Sequence, residues 1–265
     1  NGIYANAAAS LSVQDCTIRN CDYGIYASGI MPSVGGCTIA NNAWGLYVTS
    51  ASPANLSIAN TIQNNTTGGV TFNSCTNPSI SNQTITGHAG AEGAIFMENS
   101  GEFHLGTGNT VTGNSWGLSM SIGSYPDAAS AGNIPLAGNT NADGIQVRGG
   151  STSNSVVWRD GIADFVVTQL PTLNAAGTLT IQDGVTVKFD HGTYMNVYGT
   201  LNAAGGASGI LFTRRDPTDE WYGLWHWNGS HGSFQDCTIE YGTYGTGNGI
   251  YANAAASLSV QDCTI

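Results

Sequence analysis

One phrase recurs along the chain: DCTIRNCDYGIY at 15–26, GCTIANNAWGLY at 36–47, ANTIQNNTTGGVTF at 59–72, NQTITGHAGAEGAIF at 82–96 and GNTVTGNSWGL at 108–118. The aliphatic residue after each Thr marks the register. Ile18, Ile39, Ile62, Ile85 and Val111 stand 21, 23, 23 and 26 residues apart, and Ile239 and Ile265 again 26. Such a period is too short for most helix-containing repeats and suits an all-β solenoid, one coil per period. A longer repeat encloses it. Residues 1–18, NGIYANAAASLSVQDCTI, return unchanged as 248–265, so a 247-residue unit is followed by the start of another. The expected organisation is a single continuous β-solenoid over 1–265, with about 10–11 coils per unit.

Composition agrees. The 265 residues include 37 Gly, and only 9% are charged; Gly, Asn, Thr and Ser favour turns and strands over long helices. Helical bundles and doubly wound α/β folds are excluded. With 6 Lys+Arg against 17 Asp+Glu and a net charge of -11, nucleic acid and anionic membranes are poor partners, since both need clustered basic residues. The absence of any 18-residue apolar run predicts no membrane span.

Side chains alternate faces along a strand. The Ile column is therefore assigned inward and the Thr column, Thr17, Thr38, Thr61, Thr84 and Thr110, outward. An apolar column (Phe234, Val13, Val34, Ile58, Ile80, Leu105) precedes it. Asn20, Asn41 and Asn64, two residues after the mark, are expected to stack as an asparagine ladder at a corner, their amides bonding each other and the turn backbone. Gly24, Gly45, Gly69, Gly93 and Gly117 relieve the next corner. Tyr4, Tyr26 and Tyr47 form an outward stacking column.

The stretches TLTIQDGVTVKF (178–189), GTLNAAGGASGILFT (199–213), WYGLWHW (221–227) and DCTIEYG (236–242) resemble bacterial right-handed parallel β-helix repeat proteins of the pectin-lyase-like superfamily, as does NADGIQVRGG…SVVW (141–158). The resemblance covers nearly the whole chain. It implies a three-sheet solenoid, secretion or surface display, and polysaccharide as the commonest ligand class. It says little about activity, because the superfamily holds lyases, hydrolases, adhesins and inert stalks.

Candidate sites are few. Cys16, Cys37 and Cys237 share the column two before the mark and are expected as a buried, reduced ladder, continued by Asn60, Gln83 and Asn109, which must find partners inside. No Cys/His spacing suggests zinc. Asp236 and Asp262, three before the mark on adjacent coils, should stand about 4.8 Å apart. That spacing would suit a retaining glycosidase or half of a calcium site, or simply two solvated acids. No cofactor is expected, with Ca²⁺ the one candidate. The acids of polygalacturonases (an N-T-D motif, a paired D-D) are absent, and His88 in GHAG lacks them. The loop TRRDPTDEW (213–221) reads as mixed solvated charge. Trp221, Trp225 and Trp227 should share one outward face, able to bind sugar rings or a partner. Beside the Thr column the second rank is mixed (Arg19, Ala40, Gln63, Thr86, Thr112), which argues against ice binding.

The leading expectation is a non-catalytic structural module of a repetitive protein, extracellular or at the cell surface: a filament, stalk or adhesin shaft. Its partners would be head-to-tail copies or further tandem units, with glycans as a further ligand class. The alternative is a carbohydrate-binding or polysaccharide-cleaving β-helix using the Trp row and the Asp236/Asp262 pair.

Overall fold

The computed structural model describes residues 1–7, 10–243, 247–254 and 256–265. The fold is all-β, with parallel strands throughout, and divides into two units: Asn1–Met120 with Pro126–Asp143, and Ser121–Tyr125 with Gly144–Ile265. Six coils of the first and five of the second make about eleven, a parallel β-helix.

In the first unit each coil runs through three faces. The strands Ile3–Asn6, Tyr23–Ser28, Trp44–Thr49, Gly68–Asn73, Gly93–Glu98 and Leu118–Met120 stack in chain order on one. The x-T-I strands Thr17–Arg19, Thr38–Ala40, Thr61–Gln63, Thr84–Thr86 and Thr110–Thr112 stack on another, every Thr opposite a Thr and every aliphatic mark opposite the next. Ile18, Ile39, Ile62, Ile85 and Val111 are buried while all five Thr side chains reach the surface, as period-2 alternation requires. Short strands, among them Ser12–Gln14, Ser33–Gly35, Asn55–Leu56 and Ser79–Ile80, make the third. There Ile80 pairs with Leu56. Leu56, rather than Ile58, is the inward residue of that coil, and Ile58 is 48% exposed, because Leu56 stands 6 residues before its mark where Val34 and Ile80 stand 5 before theirs.

The corner after the x-T-I strand differs from expectation. Asn20, Asn41 and Asn64 are exposed, with φ of 60°, 55° and 54°. Asn tolerates this left-handed region, and its side chain is thereby turned outward. In the next two coils Gly87 and Gly113 take the same place at φ 74° and 69°. The residue that turns inward is the following one. Asn42, Asn65, His88 and Asn114 form the buried ladder, each bonded to the next coil. The Cys21 N–H donates to Asn42 Oδ1 at 3.0 Å, Asn42 N–H to Asn65 Oδ1 at 2.9 Å, Asn65 N–H to His88 Nδ1 at 3.1 Å, His88 N–H to Asn114 Oδ1 at 2.9 Å and Asn114 N–H to Asn139 Oδ1 at 3.1 Å. The amides donate back to the carbonyls of Ile18, Ile39, Ile85 and Val111. Corner backbone groups that would be buried unpaired are thereby satisfied. The glycine at the next corner is needed for close approach: a Cβ on Gly45 would lie 2.5 Å from the Gly69 carbonyl oxygen.

A second inner ladder follows the column two before the mark. Cys37 N–H donates to Asn60 Oδ1 at 3.1 Å, Asn60 Nδ2 to Gln83 Oε1 at 3.1 Å, and Gln83 N–H to Asn109 Oδ1 at 3.0 Å. Cys37 and Cys237 are buried, as expected of this column, and all six cysteines are unpaired. Cys16 is exposed instead, because it lies on the first coil, whose other side no described strand covers.

The second unit repeats the three-face plan: Ile145–Arg148, Phe165–Gln169, Thr186–Phe189, Ile210–Arg214 and Cys237–Ile239; Ser151–Thr152, Thr172–Leu173, Tyr194–Val197, Gly223–His226 and Ile250–Ala252; Ser155–Trp158, Thr178–Ile181, Thr200–Ala204, His231–Gln235 and Ser257–Gln261. Its interior is filled by rings and aliphatics. Trp158 stacks on Phe165 at 4.6 Å, and Phe189 on Trp221 at 3.9 Å.

Candidate functional site

Three surfaces and two buried histidines carry the chemistry of the chain. In the second unit, the strand Gly223–His226 puts Trp225 outward between Asn196 and Tyr251 of its neighbours. Around it gather Tyr194 at 4.7 Å, Tyr251 at 5.4 Å, Trp227 at 5.8 Å and Tyr222 at 6.1 Å, and Trp227 stacks on Tyr198 at 5.8 Å. The indole N–H of Trp225 donates to the Tyr222 carbonyl, and that of Trp227 to Asn196 Oδ1. Trp225 and Trp227 are thus half-buried members of an outward aromatic cluster. Trp221 is not. It lies before the strand, and Gly223 (φ 102°) interrupts the alternation that would have kept the three indoles on one face. Trp221 is wholly buried, its N–H on the Glu240 carbonyl at 3.0 Å.

In the first unit, Tyr4, Tyr26 and Tyr47 stack at 5.5 Å with ring planes 5° apart, and Tyr23 stacks on Trp44 at 4.7 Å. Within each column, neighbouring rings cover one another's facing sides. Beside them Glu92 Oε2 accepts from Trp44 Nε1 (3.1 Å) and Thr71 Oγ1 (3.0 Å), while Asn73 donates to Tyr47 and Glu98. Burial, with Glu98 and Glu92 nearby, raises the Tyr47 hydroxyl above its ordinary pKa. Polar and aromatic groups here satisfy one another.

The third surface is an open polar groove lined by Ser57, Ser79, Ser81, Asn82, His104 and Thr107. His104 Nδ1 meets the Asp127 carboxylate at 3.0 Å. Burial opposes it, but hydrogen bonds from Ser130 and His104 hold that carboxyl below its usual range. Asp127 also caps the 3-10 turn Ala128–Ser130, and Ser130 Oγ accepts the Leu105 N–H, so the pair fastens a coil.

His88, sequence-adjacent to the expected glycines, is a ladder rung. Nδ1 accepts from Asn65 N–H, so Nε2 carries the proton and donates to the Ile62 carbonyl at 3.1 Å. Burial lowers its pKa, partly offset by the Asn65 and Ile62 carbonyls. His226 is buried with Nε2 unpartnered, and burial pushes its pKa down to about 4.

Asp236 is half-buried and Asp262 exposed, and they turn a corner at φ 49° and 53°, the place Asn82 and Gly108 hold elsewhere at 59° and 78°. The left-handed corner accounts for residues of this type there. The charged loop pairs internally and with its surroundings: Arg214 lies 3.7 Å over the Tyr241 ring, Arg215 meets Asp190 at 3.2 Å, and Thr218 donates to Asp216.

The model of the family described as periplasmic copper-binding protein (NosD) matches residues 1–159. The chain belongs to that family. Comparison with curated proteins and with solved structures gives no match. Membership agrees with the parallel β-helix. The family's description names copper. Among the described residues no three His, Cys, Asp or Glu side chains converge, both His88 nitrogens are engaged, and the Cys37 and Cys237 thiols donate to backbone carbonyls. These side chains do not fit copper.

Proposed function

We propose that the chain is a non-catalytic structural module of a repetitive protein outside the cytoplasm, a filament, stalk or adhesin shaft whose partners are its own tandem units or head-to-tail copies. One observation carries this reading. The repeated segment 248–265 is seated on the coil before it along all three faces: Leu224 opposite Ile250, His231 opposite Ser257, Thr238 opposite Thr264. A unit that begins by completing the previous unit's stack gains length with each copy, as solenoids do through nearest-neighbour contacts. The inner ladders and the internally satisfied outer residues support the same reading. The family's periplasmic description supports a place in the periplasm or beyond it.

A second reading is favoured by the aromatic cluster around Trp225 and Trp227, which would bind sugar rings along its exposed edges. Incubating the protein with acidic polysaccharides, with and without Ca²⁺, separates the two. The structural reading expects neither ultraviolet-absorbing unsaturated product nor new reducing ends, and either product overturns it. Sugar binding abolished by Trp225→Ala and Trp227→Ala would establish the second.

A further inference from the structure

The open groove beside His104 is built on strand register. Ser79 N–H donates to the Ala54 carbonyl at 2.8 Å, His104 N–H to the Pro78 carbonyl at 2.9 Å and Asp127 N–H to the Phe103 carbonyl at 2.8 Å. Each bond reaches the residue before the in-register partner, so Asn55, Ser79, His104 and Asp127 form one outward column on successive coils. By the same pattern Ser81 N–H on the Leu56 carbonyl and Gly106 N–H on the Ile80 carbonyl set Ser57, Ser81 and Gly106 in a second column beside it.

In the first column Asp127 fixes the imidazole. Its carboxylate accepts from His104 Nδ1 at 3.0 Å and is itself fastened by Ser130, whose N–H and Oγ donate to Oδ1 at 2.9 and 2.7 Å. With Nδ1 donating to a carboxylate, the neutral ring carries its lone pair on Nε2. That nitrogen lies beside a gap. A Cβ at Gly106 would stand 3.6 Å from His104 Nε2 and 3.0 Å from Ser81 Cβ, so the imidazole and the serine flank the space that the glycine leaves open. Ser81 is half-buried, and its N–H and carbonyl are both used within the coils, on the Leu56 carbonyl and the Gln83 amide. Its hydroxyl is left to the groove.

A serine, an imidazole lone pair and a carboxylate behind the ring are the nucleophile, base and orienter of acyl transfer. The backbone around them is spent differently. The N–H groups of Ser79, Ser81, Asn82 and His104 all donate to carbonyls of neighbouring coils, so none of these four is aimed at an oxyanion. The set is suited to activating the serine toward a donor with a good leaving group. It does little to speed hydrolysis of the ester that results.

We propose that Ser81 is a covalent acyl-acceptor site that takes one acyl group from an activated ester. Ser81 Oγ attacks the acyl carbon, and the hydroxyl proton passes to His104 Nε2. The bond from the acyl carbon to the departing oxygen breaks, and the leaving group departs as an alcohol with the proton from Nε2. An O-acyl serine remains, with no change of oxidation state. Asp127 positions the ring and balances its charge while the imidazolium exists. The groove, about 460 Å³ and lined also by Ser57, Ser79, Asn82 and Thr107, admits a short polar acyl donor. A single retained acyl group leaves the module non-catalytic, and the inference goes beyond the structural reading without depending on it.

The test uses the full chain and p-nitrophenyl acetate, with the acetyl group located by peptide mass spectrometry. At neutral pH Ser81 should gain one acetyl group and keep it after the reagent is removed. Ser81→Ala, a change at the surface of the groove, should abolish the label there, and Ser79→Ala should leave it. His104→Gln should slow labelling about 100-fold or more, as loss of a general base does. The rate should rise with pH through the titration of an imidazole and then level off. Asp127→Asn should lower the rate and displace that pH profile, whereas a purely structural part for Asp127 would leave the profile in place. Acetylation found on other residues and not on Ser81, or a Ser81 rate indifferent to His104→Gln, overturns the proposal. Steady release of p-nitrophenol that needs Ser81 and runs far beyond one equivalent overturns the retained acyl group. Cleavage of a polysaccharide would overturn the structural reading and leave the Ser81 result standing.

Discussion

The two units build one plan from different materials. The first seals its corners with buried amides and one imidazole, each bonded to the coil on either side. The second fills its interior with Trp158, Phe165, Phe189, Phe212, Trp221 and Phe234, and leaves buried polar nitrogens of Trp158 and His226 without partners. Hydrogen bonding gives direction and register, whereas ring packing gives transfer free energy with little direction. The first unit should therefore fail through unpaired backbone groups, and the second through lost volume or an added charge.

The largest effect belongs to Trp221. Trp221→Ala removes a fully buried indole stacked on Phe189 at 3.9 Å and should cost about 3–5 kcal/mol, read by urea unfolding. Trp225→Ala, on the outward cluster, should cost about 0.5–1.5 kcal/mol. Equal losses at the two positions would erase the distinction between core and surface drawn here.

Next in size is acid sensitivity. His226 has a pKa of about 4 folded against 6.5 as a model group. The unfolded chain therefore binds the extra proton between those values, and stability is complete above about pH 6.5 and lost as pH falls toward 4. The loss approaches roughly 3 kcal/mol. His226→Phe should flatten that part of the stability–pH curve in chemical denaturation. His88, lowered in the same direction, adds a smaller loss in the first unit, and an unchanged slope in the His226 variant would assign the effect elsewhere.

A ladder rung comes third. Asn65→Ala leaves the Asn42 N–H and the Ile39 carbonyl unpaired inside and should cost about 1–3 kcal/mol. Asn64→Ala, one residue earlier, strains only an exposed corner at φ 54° and should cost about 1 kcal/mol or less, from the left-handed backbone. Reversal of that order, by amide hydrogen exchange or thermal unfolding, would restore the outer asparagines as the ladder.

The fold was legible because period 2 within a strand and a fixed coil length together place whole columns. Ile18 to Val111 went inward and the Thr residues outward with no ambiguity. Corners were less legible, since Asn41 and Asn42, or Asn64 and Asn65, are the same residue type and only backbone φ decides which turns in. A signal was present. Two after the mark the column reads Asn20, Asn41, Asn64, Gly87, Gly113, the residues that tolerate positive φ. Three after it reads Cys21, Asn42, Asn65, His88, Asn114, side chains able to bond inside. His88 belongs to this second column, whereas the GHAG resemblance points to a catalytic motif whose acids the chain lacks. Strand alternation does not hold across Gly223 (φ 102°), so Trp221 lies inside where alternation alone puts it outward. The outward cluster around Trp225 was legible in its tryptophans alone; Tyr194, Tyr198 and Tyr222 come to it from neighbouring coils and the adjoining turn.

The central claim, that each 247-residue unit continues the stack of the one before, is tested most directly by electron microscopy of a protein carrying two consecutive units. With 10–11 coils per unit at about 4.8 Å each, equivalent features should recur along one axis every ~50 Å. A recurrence well under ~40 Å, or units joined at variable angles with no common axis, would contradict it.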